Sequence, residues 1–130
     1  MHELSIAENI IALVREHVPE EDRTAIRSVR LRIGPYSGVV PESLAFGFSV
    51  LAAGCEFSGA VLDIEQTPIV LACRQCRAHA TVEYGSFQCP HCESSDTRVV
   101  SGAELHLVDI EICCVEEHGH VDAARPLPVL

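Results

Sequence analysis

Four cysteines in two pairs carry the clearest chemistry in the chain. Cys73-Arg74-Gln75-Cys76 and Cys89-Pro90-His91-Cys92 give C-x2-C, twelve intervening residues, and C-x2-C again. Each pair is a short knuckle that aims two sulfurs at one point, and two knuckles together make a tetrahedral four-thiolate site suited to Zn²⁺. The spacing predicts a hairpin from Ala80 to Tyr84 and back as the device that joins them. Such a closed set leaves no open coordination position, which marks a structural ion; rubredoxin-like iron is the alternative occupant. Dithiol redox chemistry fits less well, because a redox C-x2-C belongs at a helix N-terminus within a βαβ unit. His79 and His91 lie within or beside the knuckles and can replace a sulfur, but they read better as exposed residues that bind no metal.

The extreme N-terminus is the second candidate. The α-amino group, the backbone nitrogen joining Met1 to His2 and the His2 imidazole can close fused chelate rings around one ion. Planar nitrogen and oxygen coordination of this kind suits Ni(II) or Cu(II). Glu3 can add a backbone nitrogen or a carboxylate oxygen. Spacing alone leaves the plainer reading open, in which His2 is an exposed terminal histidine. Of the other cysteines, Cys55, Cys113 and Cys114, at least two read as small buried apolar residues. Glu116-Glu117-His118-Gly119-His120 reads as either a metal-collecting run or a solvated tail, the tail being favoured.

The elements that must position these groups follow from periodicity. The chain has 130 residues, a formal charge of −10, seven cysteines, seven histidines and nine basic residues, all of them arginine. Its length suits one core with a small satellite. An acid excess of this size argues against nucleic acid, which needs arrays of cations to displace counterions. No run approaches the roughly 20 apolar residues that span a bilayer, so no membrane role is expected. The opening Met1-His2-Glu3-Leu4-Ser5 lacks the features of a signal peptide, and a cytoplasmic location with reduced thiols is expected.

Leu4, Ala7, Ile10, Ile11, Val14 and Val18 recur at helical steps, and Pro19 closes that element. Val29, Leu31 and Ile33 alternate with Ser28, Arg30 and Arg32 as a half-buried strand. A second helix opens at Pro41, with Leu44, Ala45, Phe48, Leu51 and Ala52 as its apolar stripe and Gly54 as a left-handed C′ residue. A second strand places Ala60, Leu62 and Ile64 on one face, and a third places Val108, Ile110 and Ile112 inward with Asp109 and Glu111 outward. Residues 69–101, between the last two strands, are too many for an ordinary loop and must form an inserted module stabilised by its metal. The fold class is therefore α+β: two helices packed on a three-stranded sheet, with an inserted zinc ribbon. Residues 115–130 read as a tail, with Pro126 and Pro128 arguing against helix.

Several of these segments together resemble the HypA/HybF family of hydrogenase-maturation nickel chaperones. They are Met1-His2-Glu3-Leu4-Ser5-Ile6-Ala7, Arg32-Ile33-Gly34, Pro41-Glu42-Ser43-Leu44-Ala45-Phe46, Leu62-Asp63-Ile64-Glu65, the four-cysteine insert, and Ser101-Gly102-Ala103-Glu104-Leu105. The resemblance runs in order over about residues 1 to 114. It implies that His2 anchors a transferable nickel, with the Met1 amine and backbone and Glu3 completing the site, and that Cys73, Cys76, Cys89 and Cys92 hold a structural zinc. It implies a nickel-binding domain of residues 1–68 and 102–114 and a zinc-binding domain of residues 69–101. It further implies delivery of nickel to the large-subunit precursor of a [NiFe]-hydrogenase, with a HypB-type GTPase as partner and urease maturation as a further client in some relatives. No enzymatic activity is implied. One departure concerns the residue after each knuckle, often glycine in zinc ribbons but here Arg77 and Glu93. The competing readings are a zinc-ribbon interaction adaptor without transferable metal and a thiol oxidoreductase.

Overall fold

The structure, a computed structural model, describes residues 3–113 and 120–129, with the backbone alone for 120–126. The first helix, α1 (Glu3–His17), buries Ile6, Ala7, Ile10, Ile11 and Val14 along one stripe. Val18 extends that stripe through its N–H bond to the Val14 carbonyl, and Pro19, which has no N–H to donate, ends the helix. A single 3-10 segment (Glu20–Ala25) leads into β1 (Ile26–Ile33), where Ile26, Val29, Leu31 and Ile33 face the core.

A second 3-10 turn (Pro35–Ser37) precedes α2 (Pro41–Ala53), which begins with proline at its first position, where the missing N–H costs nothing. At Gly47 α2 meets α1, and a Cβ there would stand in ordinary contact, 3.6 Å from the Leu4 side chain, so the packing does not require glycine. Gly54 does not adopt the left-handed conformation expected from its position. Its φ is −94°, and its N–H bonds back to Leu51 in a tightened last turn.

The larger sheet runs β2-β1-β6-β7. β2 (Val61–Gln66) lies parallel to β1, which the α2 crossover permits, while β6 (Leu105–Ile112) lies antiparallel on the other side of β1. Along β6 the inward set differs from simple alternation. Arg30 pairs with Asp109 but Leu31 pairs with Leu107, so Val108 is an extra residue in the ladder. This bulge reverses the parity, and Leu105 and Leu107 on one side of it and Ile110 and Ile112 on the other all reach the core. Val108 is left half-buried and Asp109 is buried, with Arg30 3.4 Å from its carboxylate.

A fourth strand, β7 (His120–Pro128), pairs antiparallel with β6, where the sequence pointed to three strands and a solvated tail. Pro126 and Pro128 oppose helix, as expected, but they are compatible with an edge strand. Val129 donates its N–H to Leu105, so at Pro128, one residue before it and opposite His106, the ladder calls for no N–H, and Pro126 stands in the irregular stretch between the pairs Leu107–Leu127 and Asp109–Asp122.

The smaller sheet runs β4-β3-β5, with β3 (Ile69–Cys73) central and β4 (His79–Val82) and β5 (Thr97–Ser101) antiparallel on either side. The hairpin expected to turn at Tyr84 is instead β3–β4, and the first knuckle is its turn. β5 returns to the far edge of β3, because the second knuckle must come back beside the first.

Along the chain, residues 67–68 and 102–104 run between the two sheets, and they meet at Glu104. Its carboxylate accepts bonds from Thr67 Oγ1 at 2.7 Å, the Gly102 N–H at 2.8 Å and Ser101 Oγ at 3.0 Å. Gly34 donates to the Glu104 carbonyl, and a Cβ on Gly34 would fall 2.2 Å from the Gly102 backbone, so only glycine fits there. Gly102 itself has φ +124°, a conformation that side-chain-bearing residues avoid.

Candidate metal centres

β3 ends at Cys73 and delivers its thiol to the first knuckle, while the second knuckle hangs between the 83–88 loop and β5. Both close by the same backbone bonds. The Cys73 N–H reaches the Ala78 carbonyl at 2.9 Å and the Arg77 N–H reaches Cys73 at 3.0 Å. In the second knuckle, Cys89 N–H to Ser94 measures 2.9 Å and Glu93 N–H to Cys89 measures 2.8 Å. Each turn needs a left-handed residue at its fourth bond, and Arg77 and Glu93 supply it, both at φ 65°. The missing glycines therefore do not alter the knuckle geometry. They leave two side-chain-bearing residues in a conformation that costs about 1 kcal/mol or more each.

The four Sγ atoms lie within 4.8 Å of one another, with Cys73–Cys92 and Cys76–Cys89 both at 3.6 Å. A tetrahedron with metal–sulfur bonds of about 2.3 Å has sulfur–sulfur edges of about 3.8 Å, so the set fits a zinc ion. Cys73 and Cys89 are buried and Cys76 and Cys92 exposed.

Their protons divide along the same line. N–H groups of Cys76 and Gln75 draw the Cys73 thiol down to about 6, and N–H groups of Cys92 and His91 lower Cys89. Ser94 N–H lowers Cys92, yet burial and the three neighbouring thiols outweigh it and push Cys92 up to about 12. Cys76 is likewise raised: burial and the thiols of Cys89 and Cys73 outweigh the lowering bond from Ala78. Four thiols this close cannot all ionise alone, and a divalent cation would supply the compensating charge. His79 and His91 are exposed and stand outside the four-sulfur group. Arg74 flanks the site and pairs with Asp96 at 3.1 Å.

Met1 and His2 lie outside the described residues, as do Cys114 and His118; the His120 side chain is also not described. Glu3 is described, in the first turn of α1, where its Oε2 accepts the Val40 N–H at 3.2 Å. Beside it, Leu4, Ser43, Phe46, Gly47 and Val50 line an open cavity of about 370 Å³. Cys55 is a half-buried free thiol against the Ala52 carbonyl. Cys113 donates its N–H to Ala25 just past the end of β6.

Sequence reasoning missed Thr67 and Tyr36, and it saw Gly34 and Glu104 only as parts of recognisable segments. The glycines at 34 and 102 were the available signal, because a glycine just past the end of a strand and another just past the end of an insert are candidates for a close backbone approach.

No helix among the described residues is long and apolar enough to cross a membrane. The family profile described as "Hydrogenase/urease nickel incorporation, metallochaperone, hypA" matches residues 1–112. A hydrogenase maturation factor HypA from Chloroflexus aurantiacus is 41% identical over 112 residues, covering 85% of this chain and 98% of that one. One from Solidesulfovibrio magneticus is 37% identical over 116 residues, covering 86% and 99%. Among solved structures, the solution structure of the Ni metallochaperone HypA from Helicobacter pylori superposes with a TM-score of 0.60 at 25% identity, covering 88% of this chain and all of that one. A second solution structure of a HypA protein gives 0.64, also at 25% identity, covering 86% and 96%. The profile match stops at Ile112, so β7 lies beyond it.

Proposed function

Because this chain belongs to the HypA family of hydrogenase and urease nickel-incorporation metallochaperones, which are maturation factors and not enzymes, we propose that it binds Ni(II) at its own N-terminus. It passes that ion to the large-subunit precursor of a [NiFe]-hydrogenase, with a HypB-type GTPase as partner and urease as a second possible client. The cargo ligands are His2, the Met1 amine and the adjoining backbone nitrogen, with Glu3 as an auxiliary. Residues 1–68 and 102–114 form the nickel-binding domain and residues 69–101 the zinc-binding domain, in a cytoplasm that keeps the thiols reduced.

The observation that carries this reading is the start of α1. The helix begins at Glu3, and the Glu3 carboxylate is tied to Val40. Nickel ligands at residues 1 and 2 therefore precede a pinned helix end, where an incoming client ligand can attack one coordination position while others remain filled. The transfer is ligand exchange. Glu3 serves it best through its backbone, since its carboxylate has another task.

The four-cysteine group supports a resident zinc held by Cys73, Cys76, Cys89 and Cys92. That ion supplies charge compensation and cross-linking, while the chain supplies the two knuckles and their N–H donors. Calorimetry with nickel tests the cargo site. His2→Ala, or a tag that blocks the Met1 amine, is expected to abolish tight binding and leave zinc content and fold unchanged. Equal nickel affinity in all three proteins would place the cargo site elsewhere. One zinc per chain with no nickel preference would favour an interaction adaptor.

A further inference from the structure

The chain has six aromatic residues, and three of them meet where the two sheets join. Phe48 and Phe57 fill the main core. Tyr36, in the turn that follows β1, stacks on Tyr84 with centroids 4.8 Å apart and planes 30° apart, and lies 6.1 Å from Phe87 at 20°. Tyr84 and Phe87 belong to the 83–88 loop of the smaller sheet. Tyr36 Oη also accepts the Gly85 N–H at 2.9 Å, and the Tyr36 N–H donates to the Gly102 carbonyl at 2.7 Å. Gly85, at φ +86°, makes the loop turn that presents this N–H.

The bonds around Glu104 attach the smaller sheet at its two chain connections. Tyr36 adds a third attachment at a separate place, through a loop that ends at Cys89. That loop is itself held from the knuckle side. Thr97 Oγ1 donates to the Phe87 carbonyl, and Gln88 Nε2 donates to the Glu93 carbonyl at 2.9 Å. Tyr84 is 71% exposed and Phe87 53% exposed, far more than a core contact requires. Aromatic side chains left this open toward solvent form a contact that can part without emptying a core.

We propose that Tyr36, Tyr84 and Phe87 form a clasp that holds the zinc-bearing sheet and the helix-covered sheet as one body, and that the metal in the knuckles keeps the clasp closed by ordering the 83–88 loop. The second half rests on the zinc reading above; neither half depends on nickel. The clasp sets the presentation of the smaller sheet relative to α1 and α2, and so decides whether a partner meets both at once.

Two measurements on the full chain test it. Residual dipolar couplings are expected to give one alignment tensor for both sheets in the zinc-loaded protein and two different tensors in Tyr84→Ala. Two tensors in the wild type, or one surviving in Tyr84→Ala, overturn the clasp. Tyr84 is exposed enough that its loss should spare the fold, which far-ultraviolet dichroism checks.

Tyr36 and Tyr84 are the only tyrosines and there is no tryptophan, so the tyrosine band of the near-ultraviolet dichroism, at longer wavelength than that of the four phenylalanines, reports on the clasp. Removal of zinc, verified by metal analysis, is expected to reduce that signal to the level of Tyr84→Ala while the helical signal persists. An undiminished tyrosine signal overturns the metal dependence. A chain that takes up no zinc overturns the zinc reading and the metal dependence with it, and the dipolar couplings still decide the clasp.

Discussion

Glu3 Oε2 accepts the backbone N–H of Val40 at 3.2 Å, which ties the first turn of α1 to the residue that caps α2. An α2 N-cap without its own side-chain acceptor thereby gains one from another helix, and negative charge at a helix N-terminus is favourable. Glu3→Ala should cost about 1 kcal/mol at this partly exposed bond and speed Val40 amide exchange by roughly fivefold. Nickel affinity should fall less than in His2→Ala. A loss as large as that of His2→Ala would make the Glu3 carboxylate a nickel ligand in its own right.

Nickel binding should be lost in acid before zinc is. A bound imidazole must be neutral, and protons compete for it as pH falls from about 7.5 to about 5.5, across the ordinary histidine value near 6.5. The thiolate site should survive that range because a bound divalent cation lowers all four thiols, Cys73 and Cys89 from an already lowered value and Cys76 and Cys92 from a raised one. Parallel titrations of both metals check the order, and a pH-independent nickel affinity would remove His2 from the site.

Glu104 links acidity to the joint between the sheets. Burial raises its pKa, but bonds from Thr67, its own amide, Gly102 and Ser101 outweigh that and lower it below the ordinary carboxylate value. A lowered folded-state value means its contribution is present above the unfolded carboxylate range and is lost as pH falls through the folded value. Glu104→Gln presents an amide to donors that require an acceptor. It should destabilise by about 1 to 3 kcal/mol at neutral pH. The gap from wild type, read by denaturant unfolding, should narrow below the carboxylate range.

Removing residues 115–130 should expose the outer edge of β6 and uncover Leu105 and Leu107. The lost burial of Val129 alone is worth about 1.5 to 3 kcal/mol. A bare edge without the two prolines also invites pairing between copies. Sedimentation should show concentration-dependent association of the shortened chain, while its nickel and zinc contents stay as in the full chain. An unchanged melting point would mean that β7 contributes nothing to the sheet.

Features set by neighbours in the chain were legible without coordinates. The apolar stripe from Ile6 to Val18 needs only the 3.6-residue repeat, and each C-x2-C pair closes through bonds inside one six-residue turn. The choice of the four cysteines as one group and the resemblance of the opening segment follow from the same local information.

What depended on distant partners was not legible. The Val108 bulge exists because β1 and β6 must both present aliphatic residues to α1 and α2, and a strand's own alternation cannot signal where its ladder skips. β7 forms because β6 leaves an edge to cover, although its prolines read locally as breakers. The left-handed conformations of Arg77 and Glu93, by contrast, fall at the positions the local knuckle pattern marked, and knuckle closure imposes them against ordinary residue preference.

The sequence alone thus pointed to the four cysteines that the fold brings together and to the two helices and three of the strands of the larger sheet, because spacing and periodicity are short-range properties. Only the tertiary structure decided how the two sheets are joined. The contacts of Glu104 with Thr67, Gly34 with Gly102, and Tyr36 with Tyr84 bring together residues 37 to 68 positions apart, and no local preference encodes such meetings.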